Sequence, residues 1–350
     1  MKIGSRAIGD DAMPFVVAEI GTNHNGDMDL ARRLIDAAAA AGADCVKVQS
    51  WTKDSLFARE VYENDRFLSD GRDDGHAEPL EVLVGRYSLS EDDLRLLAAH
   101  SAKRGILFSS SVFSLRELEF LVNVLDSPFV KVASMDVTNL PFLDAIARKG
   151  RPVVLSTGLA SLSEIAAAVE TVMATDNHQL VLLHCVAQYP PVDADLNLRN
   201  INMLRDAFRG VPVGYSDHSI GITIPIAAIA RGACLIEKHF TLDKEMEGWD
   251  HAISAEPAEL SAIVTEGRRV AAALGSYRRR VSDEDMEMRR IFRRSIVAAR
   301  PIKAGAVIVR EDLDFKRPGR GLPPHLVNMV IGRTARRDIA DDEILGEDAF

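Results

Sequence analysis

A regular alternation of short apolar segments with longer segments of helical pattern constrains the fold of this chain more than any other feature. Its clearest unit runs from Val213 to Phe240, where two apolar segments flank an Ile- and Ala-rich stretch that is long enough for one helix. A strand–helix–strand unit of this kind places its two strands side by side and parallel. Six further strands are predicted upstream: Phe15–Gly21, Cys45–Gln49, Ile106–Ser111, Phe129–Ser134, Pro152–Thr157 and Leu180–Val186.

Eight apolar strands, each followed by a helix, predict an α/β fold, a (β/α)8 TIM barrel over residues 1–275. The alternative is an open doubly wound sheet, which normally has fewer strands and a Gly-rich dinucleotide turn after the first. No G-x-G-x-x-G pattern follows any predicted strand, which disfavours that alternative. The alternation breaks down from Trp51 to about Leu89, where we expect a loop insertion over a site, because connections this long are usually functional or disordered.

The chain changes character after residue 275. Residues 276–294 contain several runs of Arg and of acidic residues, and this charged stretch is interpreted as a solvated linker. Residues 295–350 alternate short β-like runs with Gly and Pro turns. About 55 residues can form a small mixed domain that needs a partner surface for full stability.

Composition argues against several classes of function. The formal net charge of −10 disfavours general binding to nucleic acid or to anionic membranes. No apolar run reaches the ~18 residues of a membrane span, and the first residues do not resemble a secretion signal, so we expect a cytoplasmic protein. Cys45, Cys185 and Cys234 each lie within an apolar run and are interpreted as reduced core residues.

Polar residues gather at the carboxyl ends of the predicted strands, where parallel α/β folds place their sites. In chain order they are Glu19 and Asn23, Lys47 and Gln49, Ser110 and Ser111, Lys131 with Ser134 and Asp136, Ser156 and Thr157, His184 with Gln188 and Tyr189, Ser216 to His218, Glu237 to His239, and Asp250 with His251 in the last loop. In a barrel, all of these residues converge on one mouth.

Lys47 and Lys131 stand inside otherwise apolar strands, where an ammonium group is costly unless another charge offsets it. One interpretation is a structural ion pair with Glu19 or Asp136. A second is an anion site, in which the ammonium groups and several serine hydroxyls would hold a phosphate, or a phosphate plus a carboxylate. A third is a Schiff-base lysine, because Schiff-base aldolases also place Lys in barrel strands.

His218 and His239 end neighbouring strands and could share one divalent metal ion. Two neutral imidazoles would leave positions open for water or substrate, which suits Mn²⁺ or Mg²⁺ acting as a Lewis acid on a carbonyl. Core or surface histidines are the simpler alternative for this pair. His184 lies among aliphatic residues and is expected to be a hydrogen-bonded core residue, whereas Asp217 is expected to form hydrogen bonds at its strand end.

A series of motifs, in order along nearly the whole chain, resembles the sialic acid synthase family. They are Ala18-Glu-Ile-Gly-Thr-Asn-His-Asn-Gly26, Val46-Lys-Val-Gln49, Lys131-Val-Ala-Ser134, Leu155-Ser-Thr-Gly158, Leu183-His-Cys185 with Tyr189-Pro190, Tyr215-Ser-Asp-His218 and Glu237-Lys-His-Phe240. In the tail, Lys316-Arg-Pro-Gly319 resembles that family's C-terminal antifreeze-like (SAF) domain. The resemblance implies a condensation of phosphoenolpyruvate with an N-acetylmannosamine-type aldose, with release of phosphate.

The resemblance also implies roles for individual residues. Phosphoenolpyruvate would be held by Lys47, Ser111, Lys131, Ser134, Ser156 and Ser216. A metal cofactor, Mn²⁺ or Mg²⁺, would be held by His218 and His239 and would bind the aldehyde oxygen. The sugar or the reacting water would be contacted by Glu19, Gln49, Asp136, Tyr189 and Asp250, with Glu19 as the candidate for proton transfer. Arg317 would come from the SAF domain of a second subunit and contact the N-acetyl group, which implies a domain-swapped homodimer.

Departures from the family pattern leave the sugar open. Ala187 stands where N-acetylneuraminate synthases can carry Asn, and Ser111, Asp136 and Trp249 replace Thr, Glu and Pro. N-acetylneuraminate synthase is the leading assignment, and a legionaminic or pseudaminic acid synthase acting on a 2,4-diacetamido hexose is the alternative. Outside the family, the rivals are a metal-dependent or Schiff-base aldolase that uses pyruvate, and a non-catalytic binding protein built around the tail.

Overall fold

A computed structural model describes residues 1–63, 79–276 and 278–350. Within these residues, eight parallel strands close into a barrel, as predicted. The strands are β1 (Phe15–Glu19), β2 (Cys45–Gln49), β3 (Leu107–Ser111), β4 (Val130–Val132), β5 (Val153–Ser156), β6 (Leu180–Cys185), β7 (Val213–Asp217) and β8 (Leu235–His239). Each strand pairs with its neighbour in chain order, and β8 closes the barrel on β1 with His239 opposite Glu19.

The strands are buried on both faces, which is why they are near-continuous apolar runs. In β1, Val16 packs in the large cluster that includes the surrounding helices, whereas Val17 packs in a second cluster with Phe129. A hairpin formed by Lys2–Ile3 and Arg6–Ala7 adds Ile3 to this second cluster. Apolar side chains therefore fill the barrel towards the amino ends of the strands, and polar residues are left for the carboxyl ends.

Helices follow the strands in the expected order. They span Met28–Ala40 after β1; Lys53–Leu56, Arg59–Glu63, Leu80–Tyr87 and Glu91–Arg104 after β2; Leu115–Asn123, Leu140–Ala147, Leu162–Met173, Arg199–Ala207, Thr223–Ala230 and Pro257–Leu274 after β3 to β8. Ser90 and Ser161 form capping boxes with the acidic residue three positions later. Across the described ranges, no helix combines the length and the apolar character that crossing a bilayer requires.

The insertion after β2 differs from the loop that the sequence predicted. Its described part contains three helices, and Leu80, Val84 and Tyr87 of the third are buried at helical spacing. The ring of Tyr87 lies 4.8 Å from that of Trp249, which in turn contacts Trp51. Aromatic packing thus gives this segment a small core of its own. Residues 64–78, also within the predicted loop, lie outside the described residues.

The chain divides into two compact units, Met1–Gly275 and Ser276–Phe350. The second unit begins with a helix, Asp283–Phe292, within the stretch interpreted as a linker. Ser282 caps this helix, acidic residues occupy its first turn and arginines its last, so the charge run complements the helix dipole. The rest contains an antiparallel pair, β9 (Ser295–Ala298) and β10 (Leu313–Lys316), the short helix Val327–Val330, and a separate apolar cluster.

Candidate active site

The carboxyl ends of the barrel strands enclose a cavity of about 210 Å³. Most of the residues nominated from the sequence line it, namely Glu19, Lys47, Gln49, Ser111, Lys131, Ser134, Ser156, Tyr189, Ser216, His218 and His239. They come from strands distributed around the whole barrel, because parallel strands all present their carboxyl ends at one face. Phe113, Met135, Leu159 and Ala187 also contribute to the wall and make part of it apolar.

Two buried lysines define the floor of the cavity. Lys47 and Lys131 are only 2% and 3% exposed. Lys47 forms an ion pair with Glu19 and donates a hydrogen bond to Ser111 Oγ at 2.9 Å. Glu237 lies between the lysines, with Oε1 at 3.7 Å from Lys131 Nζ and Oε2 at 3.8 Å from Lys47 Nζ. The ion pair with Glu19 considered from the sequence therefore exists, but it forms part of the cavity wall.

Burial and the neighbouring charges change the pKa values of Lys47 and Glu237. Burial lowers the pKa of Lys47 to about 7, although Glu237 acts in the opposite direction. Burial by itself would raise the pKa of Glu237, but the charges of Lys131 and Lys47 outweigh it and the pKa is lowered. Glu237 is therefore a carboxylate at neutral pH. The lysines already have a counter-charge, with which an entering anion must compete.

Glu237 is the main site residue whose role was not expected from the sequence. It lies two positions before His239 on β8, and side chains two apart on a strand share a face. Both residues line the cavity. The period of the strand was therefore a signal that could have placed this carboxylate on the cavity face, although it does not name the lysines as its partners.

Three serine hydroxyls complete the polar wall. Ser216 Oγ donates to Glu237 Oε1 at 3.1 Å, and Ser134 Oγ accepts from the Gly158 N–H at 3.0 Å. Ser156 Oγ is buried and has no hydrogen-bond partner among the described residues. An unsatisfied buried hydroxyl is costly, so Ser156 is prepared to bind a polar group that enters the cavity.

The two histidines lie next to each other in the cavity wall, at the ends of the neighbouring strands β7 and β8. Their ring centroids are 5.3 Å apart, and Tyr189 stacks on His218 at 4.0 Å. His218 Nδ1 donates to the Val186 carbonyl at 2.8 Å, which leaves the lone pair of Nε2 free. His239 Nδ1 is buried without a hydrogen bond and lies 3.5 Å from Asp250 Oδ2.

Both imidazoles are suited to bind a metal ion. Burial lowers the pKa of His218, and burial together with the charge of His218 lowers the pKa of His239 well below its usual value. Neutral imidazoles with free ring nitrogens are good ligands for a divalent cation. No group of three or more His, Cys, Asp or Glu side chains is arranged for a metal in the part of the chain that the structure describes. Two imidazoles alone would leave the other positions around a bound ion open to water or substrate.

Asp250 lies at the edge of the histidine pair. Burial raises its pKa to about 6, and the hydrogen bond that it accepts from Thr22 Oγ1 at 2.9 Å opposes this shift. At neutral pH this carboxyl group is close enough to its titration range to exchange a proton. Asp250 is not itself part of the cavity wall, but it reaches it through His239.

Other nominated residues have local roles or lie elsewhere. His184 Nε2 donates to the Leu196 carbonyl at 2.7 Å, as expected of a core histidine. Asp136 accepts a hydrogen bond from Asn139 at 3.0 Å and does not line the cavity. Arg317 belongs to the second unit, where its guanidinium lies 5.5 Å from the Phe292 ring.

Comparisons with known proteins place the chain in a family. The sequence model of the NeuB family matches residues 34–279, and that of the SAF domain matches residues 293–350. The chain is 38% identical to N,N'-diacetyllegionaminic acid synthase of Legionella pneumophila over 94% of this chain and 92% of that protein. It is 35% identical to N-acetylneuraminate-9-phosphate synthase of Homo sapiens over 98% of this chain and 94% of that protein.

A solved structure agrees with these matches. The N-acetylneuraminic acid synthetase of Leptospira borgpetersenii in complex with citrate superposes with a TM-score of 0.73 and 36% identity, covering 82% of this chain and 94% of that one. The resemblance seen in the motifs is thus confirmed, as is the barrel followed by a SAF domain. This chain belongs to the NeuB family, is an enzyme of the transferase class, and carries a SAF domain at its carboxyl end.

Proposed function

We propose that this enzyme condenses phosphoenolpyruvate with the open-chain form of an N-acetylated amino sugar, giving a nonulosonic acid and inorganic phosphate. The observation that carries the proposal is the presence of two buried ammonium groups and two imidazoles around one cavity. The first pair suits a substrate with a phosphate and a carboxylate, and the second suits activation of a carbonyl by a metal. The names of the human and Legionella relatives support a product of the sialic acid class.

Phosphoenolpyruvate would bind on the floor of the cavity. Lys47 and Lys131 would offset its phosphate and carboxylate, and Ser156 would donate the hydrogen bond that its hydroxyl lacks. The hydroxyls of Ser111, Ser134 and Ser216 lie in the same wall and would supply further donors. Displacement of Glu237 from the lysines would offset part of the binding energy, which favours a highly charged ligand over a neutral one.

His218 and His239 would hold the divalent metal, Mn²⁺ or Mg²⁺. When bound, the metal would supply Lewis-acid activation of the aldehyde oxygen of the sugar. The protein keeps both rings neutral by burying them, and the hydrogen bond from His218 to Val186 fixes one ring's orientation. The stacked ring of Tyr189 further limits rotation of His218 and shields it from water.

The reaction forms one carbon–carbon bond and breaks one carbon–oxygen bond. The methylene carbon of phosphoenolpyruvate attacks the aldehyde carbon, and positive charge develops at the carbon that carries the phosphate. Water adds to that carbon, and phosphate leaves with the bridging oxygen by C–O cleavage. Lys47 and Lys131 stabilise the phosphate and the carboxylate throughout these steps.

Two carboxyl groups would handle the protons. Glu19 accepts a hydrogen bond from the Gly21 N–H at 2.6 Å and pairs with Lys47, and these contacts orient it as a base for the attacking water. Asp250, with its pKa raised to about 6, would protonate the oxygen that was the aldehyde. The proton taken from water and the proton given to the new hydroxyl balance each other over one turnover.

The sugar would occupy the outer part of the cavity, near Gln49 and Tyr189. N-acetylmannosamine is the leading candidate. A 2,4-diacetamido hexose is the second, because Ala187, Met135 and Leu159 give the wall apolar surface that a second acetamido methyl group could contact. Asp136 would reach the sugar only if the turn that carries it moves, since its carboxylate is engaged with Asn139.

Arg317 would act from a second subunit, in a domain-swapped homodimer. It is exposed on its own unit, and its charge suits the carbonyl oxygen of an N-acetyl group. Mixing the Lys131→Ala and Arg317→Ala variants tests this idea, because a mixed dimer would contain one barrel with Lys131 that receives an intact Arg317 from its partner. Recovery of activity on mixing supports the swap, whereas no recovery places both residues in the same subunit's site.

A panel of aldoses assayed with phosphoenolpyruvate and Mn²⁺ tests the function. N-acetylmannosamine, its 6-phosphate and 2,4-diacetamido hexoses are the sugars to compare, with phosphate release and product mass as readouts. We expect phosphate release that depends on both substrates. Absence of release with every sugar would contradict the proposal.

A pyruvate-dependent aldolase, the rival considered from the sequence, is the reaction that must be excluded experimentally, because one property of Lys47 would also suit it. Lys47 is buried with its pKa lowered to about 7, a property of lysines that form Schiff bases. Borohydride trapping with pyruvate separates the two reactions. A stable adduct on Lys47 would support the aldolase, and the proposed synthase predicts none.

A further inference from the structure

We infer that Asp217 and Lys238 form a buried clamp that fixes the two histidine-bearing strand ends relative to each other. Lys238 Nζ donates to Asp217 Oδ2 at 2.9 Å, and both side chains are fully buried. The two residues are paired opposite each other on β7 and β8, so the ion pair joins one strand to the other. His218 and His239 come directly after them. The inference rests on the proposed function, because it concerns the metal that these histidines would hold.

The clamp lies on the side of the strands away from the cavity. Side chains alternate between the two faces of a strand. The cavity side of these strand ends is taken by Ser216, His218, Glu237 and His239. Asp217 and Lys238 do not line the cavity, so any influence on the reaction acts through their neighbours. They are positioning residues and do not touch the substrate.

Ser219 ties the clamp to the turn after β7. Asp217 Oδ1 accepts from the Ser219 N–H at 2.9 Å and from its hydroxyl at 2.7 Å. Lys238 Nζ also donates to the Ser219 carbonyl. His218 is therefore held between two residues that are both bonded within the clamp. Its backbone cannot shift away from β8 without breaking this network.

Energetics favour a geometric role over a stabilising one. A buried ion pair contributes little net stability, because desolvation of the two charges offsets most of their attraction, and apolar replacements are often neutral or stabilising. Specifying register is the best attested use of buried polar and ionic groups, and we infer that role here. Here the register sets the spacing of the two imidazoles, whose centroids are 5.3 Å apart. Catalytic groups need to be held to within about 0.5 Å of their working geometry.

The experiment compares the wild type with Asp217→Asn, Lys238→Met and the double variant. Melting temperatures come from scanning calorimetry, and Mn²⁺ affinities from titration calorimetry on enzyme without phosphoenolpyruvate. Each single variant leaves one buried charge unpaired and should lower the melting temperature, whereas the double variant should recover most of it. We expect the double variant to bind Mn²⁺ about tenfold more weakly despite that recovery, the loss typical when the support of a metal ligand is removed.

Recovered melting temperature together with wild-type Mn²⁺ affinity in the double variant would overturn the inference. Should the double variant fail to fold, Asp217→Glu keeps the charge but displaces Ser219, and its Mn²⁺ affinity decides in the same way. The matched control replaces the Arg300–Asp312 ion pair of the second unit by Met and Asn, and should leave Mn²⁺ affinity unchanged. A wild-type enzyme that binds no Mn²⁺ would contradict the proposed function instead, so the two failures are distinguishable.

Discussion

Replacing Glu237 by Gln tests whether this carboxylate is the resting counter-charge of the anion site. The substitution keeps the size and one hydrogen-bond acceptor of the side chain but removes the charge between the two lysines. At 3.7 Å and an effective dielectric constant near 20, each carboxylate–ammonium pair has a gross attraction of about 4–5 kcal/mol. Desolvation offsets much of this, and breaking a buried pair typically costs about 3–5 kcal/mol.

The cost of Glu237→Gln should depend on pH and on phosphate. Lys47 has a pKa of about 7, and loss of Glu237 removes an interaction that raises it. Lys47 can therefore avoid carrying an unpaired buried charge by losing its proton. The variant should lose about 3 kcal/mol in the free energy of unfolding at pH 6.5, and less at pH 8.5. Inorganic phosphate should stabilise the variant more than the wild type, because the anion no longer competes with the carboxylate.

Chemical denaturation at both pH values, with and without roughly 10 mM phosphate, measures these effects, because a ligand that binds only the folded state stabilises it. The matched control is Glu119→Gln, which breaks an ion pair with Lys149 on the surface and should change little. Equal stability of Glu237→Gln and wild type at pH 6.5, or equal stabilisation of both by phosphate, would refute the reasoning.

Four further predictions follow from the same geometry. Above pH 7, Lys47 should lose its proton in the free enzyme, so the affinity for phosphoenolpyruvate should fall as pH rises, and a flat binding profile would contradict the assignment. Between pH 7 and the usual lysine pKa of 10.5, the unfolded chain binds more protons than the folded one. The contribution of Lys47 to the free energy of unfolding should therefore rise with pH over this range. Ser156→Ala should raise KM for phosphoenolpyruvate several-fold with no loss of melting temperature, because it removes a hydroxyl without a partner; an unchanged KM would exclude the hydroxyl from binding. His239→Ala should abolish activity and Mn²⁺ binding, and unchanged turnover in chelator-treated enzyme would exclude the metal role. Arg317→Ala should raise KM for the sugar more than for phosphoenolpyruvate, and equal losses would count against its contact with the N-acetyl group.

The barrel was predictable from the alternation of apolar strands with helical stretches. The location of most site residues was predictable from their positions at the ends of those strands. Apolar runs separated by helical stretches allow few topologies, and the carboxyl ends of parallel strands must meet. Lys47 and Lys131 were recognisable because ammonium groups are rare in apolar strands. His218 and His239 were recognisable because they end neighbouring strands.

Pairings that depend on register were not predictable in the same way. The sequence shows Asp217 and Lys238 next to the histidines, but only the strand alignment places one opposite the other. Glu237 was overlooked as the partner of both lysines because its two contacts come from β2 and β4, which are distant in sequence.

Local composition is a poor guide to secondary structure in two segments. The many charges of residues 276–294 suggested a solvated linker, and the helix Asp283–Phe292 within it has no buried residue; the order of its charges, acidic before basic, is the helical signal that the composition alone does not show. The segment from Trp51 to Leu89 was predicted to be a loop because its short helices bury few residues each. Its aromatic residues Trp51 and Tyr87 pack against Trp249, which is about 160 residues or more away in the sequence. Hydrophobic periodicity over a few residues is too weak a signal when the partner surface is that remote.

The fate of the bridging oxygen of phosphoenolpyruvate tests the central claim most directly. Phosphoenolpyruvate is labelled with ¹⁸O at the oxygen that bridges carbon and phosphorus, and is incubated with the enzyme, Mn²⁺ and the best sugar of the panel. The masses of both products are then measured by mass spectrometry. The proposed reaction predicts that phosphate carries the label and that the new acid does not, with no phosphate formed when the sugar is omitted. Label retained in the acid, or consumption of pyruvate in place of phosphoenolpyruvate, would contradict it.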